Sequence, residues 1–175
     1  MANVILILGG ARSGKSAYAE QRAAHYAQVH CLVTAWAGDA EMQARIARHQ
    51  ADRPAHWVTV ETGRELAAAI TEQAATQRCL LVDCLTLWLC RCLHDDDGVP
   101  CPDTSLARHK EELAQALRHA EGTVILIANE LGLGIVPLGE VNRRFVDEAG
   151  WLNQAMARLA DEVWLVTAGL PMRLK

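Results

Sequence analysis

The sequence predicts an α/β fold, a mostly parallel central sheet flanked by helices. Short, continuous apolar runs such as Val4–Leu8 (VILIL), Cys79–Asp83 (CLLVD) and Thr123–Ala128 (TVILIA) have the length and composition of strands buried on both faces. Ala-rich, helix-forming stretches alternate with them, which is the pattern of βα units. Several of the apolar runs end in Gly-rich or polar sequence, at the strand ends where sheets of this class bind ligands.

Val4–Leu8 opens the chain as a buried strand and runs straight into a Gly-rich turn. Lys15 to Val29 reads as a helix, and Cys31 to Trp36 as a second strand-length run. Asp39 is a helix-capping residue for a helix to about Asp52, and Pro54 stops it. Trp57–Val60 is a short strand candidate and Arg64–Thr76 another Ala-rich helix. Cys79–Asp83 follows as a strand ending in a carboxylate, then a helical stretch from Leu85 to Leu93. His94 to Thr104 carries acids, Gly and Pro, so it reads as an exposed loop before a helix over Ser105–His119. Thr123–Ala128 leads into Asn129-Glu130 and a Gly- and Pro-bearing loop, Gly132 to Gly139. Glu140–Ala160 is a long helix whose residues Phe145, Ala149, Leu152, Met156 and Leu159 form one packing stripe. Glu162–Thr167 is a last buried strand, and Met172–Leu174 is expected as a short antiparallel edge strand.

The chain has 175 residues, sized for one domain with one core and no internal repeat. Hydrophobic residues make up 51% and charged residues 22%, an ordinary globular balance. A net charge of −4 gives no general attraction to nucleic acid or anionic lipid. The apolar runs are too short for a membrane span, and the opening strand and loop do not read as a cleavable signal. The six cysteines include no C-x-x-C pair, which argues against zinc or dithiol chemistry and fits a reducing, cytoplasmic setting.

Gly9-Gly10-Ala11-Arg12-Ser13-Gly14-Lys15-Ser16 matches the complete phosphate-loop pattern, between a strand and a helix. Glycines let the backbone curl its N–H groups toward anionic oxygens, and the following helix N-terminus adds positive potential. Lys15 is placed on the β- and γ-phosphates, and the Ser16 hydroxyl on Mg²⁺. The fold class is therefore P-loop NTPase-like, binding a nucleoside triphosphate such as ATP or GTP. Asp83, an acid at a strand end, is the candidate Mg²⁺-organising carboxylate; an ordinary turn or helix cap is the other reading.

His49 sits near Arg45, Arg48 and Arg53. A histidine among arginines on a helix is commonly solvated surface, but nearby cations also favour neutral imidazole, the nucleophilic form. The Asn129–Pro137 segment (NELGLGIVP) suits a loop approaching a ligand or a tight structural loop. Trp36, Trp57 and Trp88 are suited to stacking on a base, with core packing the plainer role.

Taken in order, GGARSGKS, ARIARHQADRPAHW around His49, the Asp83 strand end, NELGLGIVP and ADEVWLV resemble a known family. It is the bifunctional adenosylcobinamide kinase / adenosylcobinamide-phosphate guanylyltransferase family of cobalamin biosynthesis, and the resemblance covers essentially the whole chain. It implies phosphorylation of adenosylcobinamide by a nucleoside triphosphate, then transfer of GMP from GTP through a guanylylated histidine. The motif places that histidine at His49, where some members carry two adjacent histidines and this chain has Arg48-His49. The resemblance further implies that Thr34, Ala35, Trp36, Arg53 and Glu61 help hold the nucleotide, and that relatives are trimers. Glu61 and Asp83 are the two candidates for the acid that reads guanine. A simple small-molecule kinase and a nucleotide-gated switch or motor subunit are the competing readings.

Overall fold

A computed structural model of the chain describes residues 2–35, 53–95 and 98–175. Its order is β1 (Asn3–Gly9), α1 (Lys15–Ala23), β2 (Gln28–Val33), β3 (Val58–Glu61), α2 (Leu66–Gln73), β4 (Arg78–Asp83), α3 (Leu85–Leu93), α4 (Asp103–His119), β5 (Thr123–Asn129), α5 (Glu140–Leu159), β6 (Glu162–Thr167) and β7 (Leu170–Arg173). The strands form one seven-stranded sheet in the order β3-β2-β4-β5-β1-β6-β7. All neighbours pair in parallel except β6 and β7, which form an antiparallel edge.

The continuous apolar runs are explained by what covers them. In β1, Val4, Leu6 and Leu8 join the cluster that packs under α2, α3, α4 and α5. Ile5 and Ile7 point the other way and pack with Ala19 and Ala23 of α1 and with Trp57. The same split divides Leu80 and Val82 from Cys79 and Leu81 in β4, as a side-chain period of two requires. Each fully buried Leu or Ile contributes about 1.5–3 kcal/mol relative to exposure, so the central strands anchor the fold.

Several boundaries differ from the sequence reading. The first helix stops at Ala23, because residues from Gln28 onward pair with β4 from Gln28↔Arg78 to Val33↔Asp83. Sheet pairing outweighs the helix preference of that Ala-rich stretch. The helix predicted over Arg64–Thr76 is shortened to Leu66–Gln73. Helix α4 begins at Asp103, just after Pro102, with Asp103 favourably placed in its first turn. The final strand lies at Leu170–Arg173, set by the tight turn at Ala168-Gly169. The stripe on α5 is as expected: Ala149, Leu152 and Met156 are buried, and Phe145 and Leu159 pack at its margins. Trp57 and Trp88 are core residues; Trp88 is fully buried and donates Nε1–H to the Arg64 carbonyl at 3.0 Å. Trp36, His49 and the helix predicted over Asp39–Asp52 lie outside the described residues.

Candidate active site at the carboxyl edge of the sheet

The phosphate loop leaves β1 where Gly9 is paired with Asn129 of β5 on one side and Val166 of β6 on the other. The loop curls tightly. Ser13 N–H donates to the Gly10 carbonyl at 3.3 Å, and Gly169 N–H donates to the Ser13 carbonyl at 2.8 Å, pinning the loop to the β6–β7 turn. Gly14 has φ +93°, a left-handed conformation that favours glycine, and a Cβ there would stand 3.0 Å from Gly169 Cα. Arg12 also holds a positive φ, 56°. Helix α1 starts at Lys15 with no side-chain cap and no acid in its first turn, so its positive end is open to an anion. Lys15 Nζ lies 3.3 Å from the Gly10 carbonyl, folded over the loop, and Ser16 follows in the first turn.

Asp83 closes β4, two strands from β1 and so about 10 Å across the sheet at the usual strand spacing. Its Oδ2 accepts a hydrogen bond from Arg53 Nη2 at 2.8 Å. The Arg53 side chain is 4% exposed, and its Nε lies 4.0 Å from Glu20 Oε1 of α1. That Nε is buried without a hydrogen-bond partner among the described residues, so charge more than hydrogen bonding holds it to Glu20. Cys31 is fully buried; burial pushes its thiol up to about 11, with Arg53 pulling the other way.

Thr34 is 0% exposed. Its hydroxyl donates to the Cys84 carbonyl at 2.7 Å and accepts from Cys84 N–H at 3.0 Å. The side chain thus holds the turn that follows Asp83, where the Asp83–Cys84 peptide is cis. Ala35 comes next and is half-buried. Glu61 ends the edge strand β3 and is exposed, four strands from β1 or about 19 Å. The structure therefore brings Gly9 to Ser16, Asp83 and Arg53 close together and sets Glu61 at the far end of the same edge.

Three supporting residues were not evident in the sequence. Asn153 of α5 is buried and donates to the Asn129 carbonyl at 3.1 Å, and the Thr86 hydroxyl accepts from Asn129 N–H at 2.7 Å. Glu20 is the third: nothing in its Ala-rich helical context marks it, since its relevance comes from a residue 33 positions later in the chain. The Asn129–Pro137 segment starts beside the phosphate loop, with Glu130 N–H donating to the Gly9 carbonyl at 3.0 Å. Beyond Glu130, Leu133, Ile135, Val136 and Leu138 are exposed, Ile135 at 98%.

The donor set near the loop suits a hard cation. One hydroxyl, Ser16 in the first turn of α1, and one carboxylate, Asp83, which accepts from Arg53 through Oδ2, lie at this edge of the sheet. Mg²⁺ is commonly held by one or two protein oxygens plus substrate phosphates, so these residues fit it. No cluster of three or more His, Cys, Asp or Glu suited to a soft or fully protein-enclosed metal occurs among the described residues.

A parallel sheet with a glycine-rich loop feeding a helix N-terminus, and an acid two strands away, defines a P-loop nucleotide-binding protein. Solved structures agree on the fold. An ATPase from the type III secretion system of pathogenic bacteria superposes with a TM-score of 0.55 at 14% identity, over 94% of this chain and 51% of that one. A Pyrococcus horikoshii OT3 protein gives 0.55 at 8% identity, over 99% and 86%.

The family described as "Cobinamide kinase / cobinamide phosphate guanyltransferase" matches residues 5–174, and the chain belongs to that family. It is 53% identical over 171 residues to the bifunctional adenosylcobalamin biosynthesis protein CobP of Pseudomonas aeruginosa, covering 97% of this chain and 96% of the relative. It is 38% identical to the bifunctional CobU of Salmonella typhimurium, covering 98% and 99%. Among the described residues no helix is long and apolar enough to cross a membrane.

Proposed function

We propose that this chain is a transferase that phosphorylates adenosylcobinamide and then transfers GMP from GTP to the phosphate it has installed, yielding adenosylcobinamide-GDP and pyrophosphate. The observation that carries this reading is a formed phosphate loop in a chain that matches a kinase and guanyltransferase family from residue 5 to residue 174.

In the first step the corrinoid's aminopropanol hydroxyl attacks the γ-phosphorus of ATP or GTP. Loop N–H groups and Lys15 hold the β- and γ-phosphates and stabilise charge on the oxygens as the bond to the leaving diphosphate breaks. Ser16 and Asp83 would hold Mg²⁺, which supplies charge neutralisation to the phosphates. In the second step a His49 ring nitrogen attacks the α-phosphorus of GTP. A P–N bond forms, the α–β bridging bond breaks, and pyrophosphate departs into the loop. The corrinoid phosphate then displaces the histidine, giving a diphosphate link and restoring His49. Because Asp83 is already engaged by Arg53 near the phosphate end, Glu61, exposed and about 19 Å from β1, is the better-placed acid for the guanine N1–H and N2–H. We further infer a homo-oligomer, of which a trimer is the expected form; the exposed apolar residues Leu133, Ile135, Val136, Leu138 and Val141 support a buried surface there.

The test is covalent labelling. Protein incubated with Mg²⁺ and GTP labelled at the α-phosphorus, then denatured, should carry an acid-labile, alkali-stable label that His49→Ala abolishes and adenosylcobinamide phosphate discharges. A simple kinase would show γ-phosphate transfer with no adduct. A nucleotide switch would hydrolyse GTP with neither.

A further inference from the structure

Arg53 is an unusual residue to find behind a nucleotide site. Its side chain is almost wholly buried, and it stands between two carboxylates on different elements. On one side is Asp83 at the end of β4, bonded at 2.8 Å. On the other is Glu20, one helical turn after Ser16 on α1, with its Oε1 4.0 Å from Arg53 Nε. Residues 79, 81 and 83 of β4 point toward the α1 side of the sheet, as the packing of Cys79 and Leu81 shows. The guanidinium therefore sits below the edge of the sheet, between helix and strand. It engages Asp83 through Oδ2.

We propose that Arg53 is a positioning residue for the metal-bearing carboxylate. It grips Asp83 through Oδ2, Glu20 fixes Arg53 against α1, and the pair locks Asp83 at a set distance from Ser16. This rests on the reading of Ser16 and Asp83 as the Mg²⁺ residues. It assigns Arg53 to the carboxylate, where the family resemblance implies a nucleotide contact, and it gives Glu20 a role that its position in the sequence does not suggest. Partners that orient a metal ligand typically govern 10–100-fold of metal affinity, which sets the size of the expected effect. A planar, always-charged guanidinium suits the task better than an ammonium, because its fork can address carboxylates on two elements at once.

The experiment measures binding of a fluorescent methylanthraniloyl-GDP to the full chain, with Mg²⁺ and with EDTA, so that no turnover is needed. The readout is the ratio of the two dissociation constants. Asp83→Asn should abolish the Mg²⁺ enhancement. Arg53→Gln should reduce the enhancement by about tenfold while leaving the EDTA affinity within about twofold. Glu20→Gln should shift it the same way by less, and Arg53→Lys should fall between wild type and Arg53→Gln. If Arg53→Gln does not fold, as a thermal melt would reveal, Arg53→Lys and Glu20→Gln carry the test. Equal losses with and without Mg²⁺ would make Arg53 a direct nucleotide ligand and overturn the proposal. So would an unchanged ratio in the Arg53 and Glu20 variants alongside a lost one in Asp83→Asn. If wild type shows no enhancement, or Asp83→Asn keeps it, the metal reading of Ser16 and Asp83 fails first, and this proposal falls with it.

Discussion

Adding one methyl group to the phosphate loop separates what the glycines do for the fold from what they do for the ligand. A Cβ on Gly9 would lie 2.4 Å from Ser13 Oγ and 2.7 Å from the Val166 carbonyl. The hydroxyl can rotate away. The carbonyl cannot, because it belongs to β6, whose Val166 is paired with Gly9 in the sheet. Gly9→Ala must therefore push the β1 end and β6 apart by a few tenths of an ångström, an overpacking that costs about 1–3 kcal/mol. For a chain of this length each kcal/mol shifts Tm by about 2–4 °C, so Tm should fall by about 2–12 °C. The displaced loop should also lose phosphate contacts, and a loss of about 1.4 kcal/mol there weakens nucleotide binding about tenfold. Gly10→Ala is the comparator. Nothing lies within 4 Å of its Cβ position, so its melting temperature should match wild type. The assay is differential scanning fluorimetry with and without nucleotide. A Gly9→Ala protein that melts and binds like wild type would refute the reasoning, as would a Gly10→Ala protein destabilised as much as Gly9→Ala.

Glu162 gives a pH signature. The Trp164 indole N–H, donating at 2.9 Å, lowers its pKa most; burial opposes this, and Arg22 at 3.1 Å adds to the lowering. A carboxylate with a depressed folded pKa contributes stability above its unfolded pKa and loses it as pH falls through the folded value. Urea melts should therefore show Glu162→Gln less stable than wild type at neutral pH, with the gap closing below about pH 4; a gap that persists in acid would contradict this. Thiol reactivity gives a second check: Cys90 is exposed, whereas Cys31, Cys79, Cys84 and Cys92 are buried and raised by burial, Cys79 and Cys92 to about 12. Iodoacetamide on the native protein, read by peptide mass, should modify Cys90 first and reach the four buried thiols only on unfolding, because the thiolate is the reactive form.

The local signals were the ones the sequence carried best. The phosphate loop, the alternation of buried strands and helices, α3 at Leu85–Leu93 and β6 at Glu162–Thr167 all follow from runs of neighbouring residues, whose period and punctuation are set within a few positions. Helix ends were less legible. The helix predicted to Val29 ends at Ala23, and Gln28 and Val29 become strand because β4 is there to pair with them; no neighbouring residue announces that partner. The fixed period of strands also explains why the two apolar clusters could be anticipated as a pattern but not assigned to faces until α1 was seen on one side and the later helices on the other.

The sequence by itself determined the fold class, the phosphate loop and the family, because each rests on residue order: a glycine pattern between a strand and a helix, and a match running the length of the chain. Tertiary structure alone decided which groups meet. Glu20, Arg53 and Asp83 are scattered over more than sixty positions and come together only because β4 lies against α1 and the segment before β3 returns Arg53 to both. Thr34 was turned toward the Asp83–Cys84 peptide, and Glu61 was carried to the far edge of the sheet. The physical reason is that charge pairing and burial act through space, over a few ångströms, while sequence spacing constrains distance only within one element.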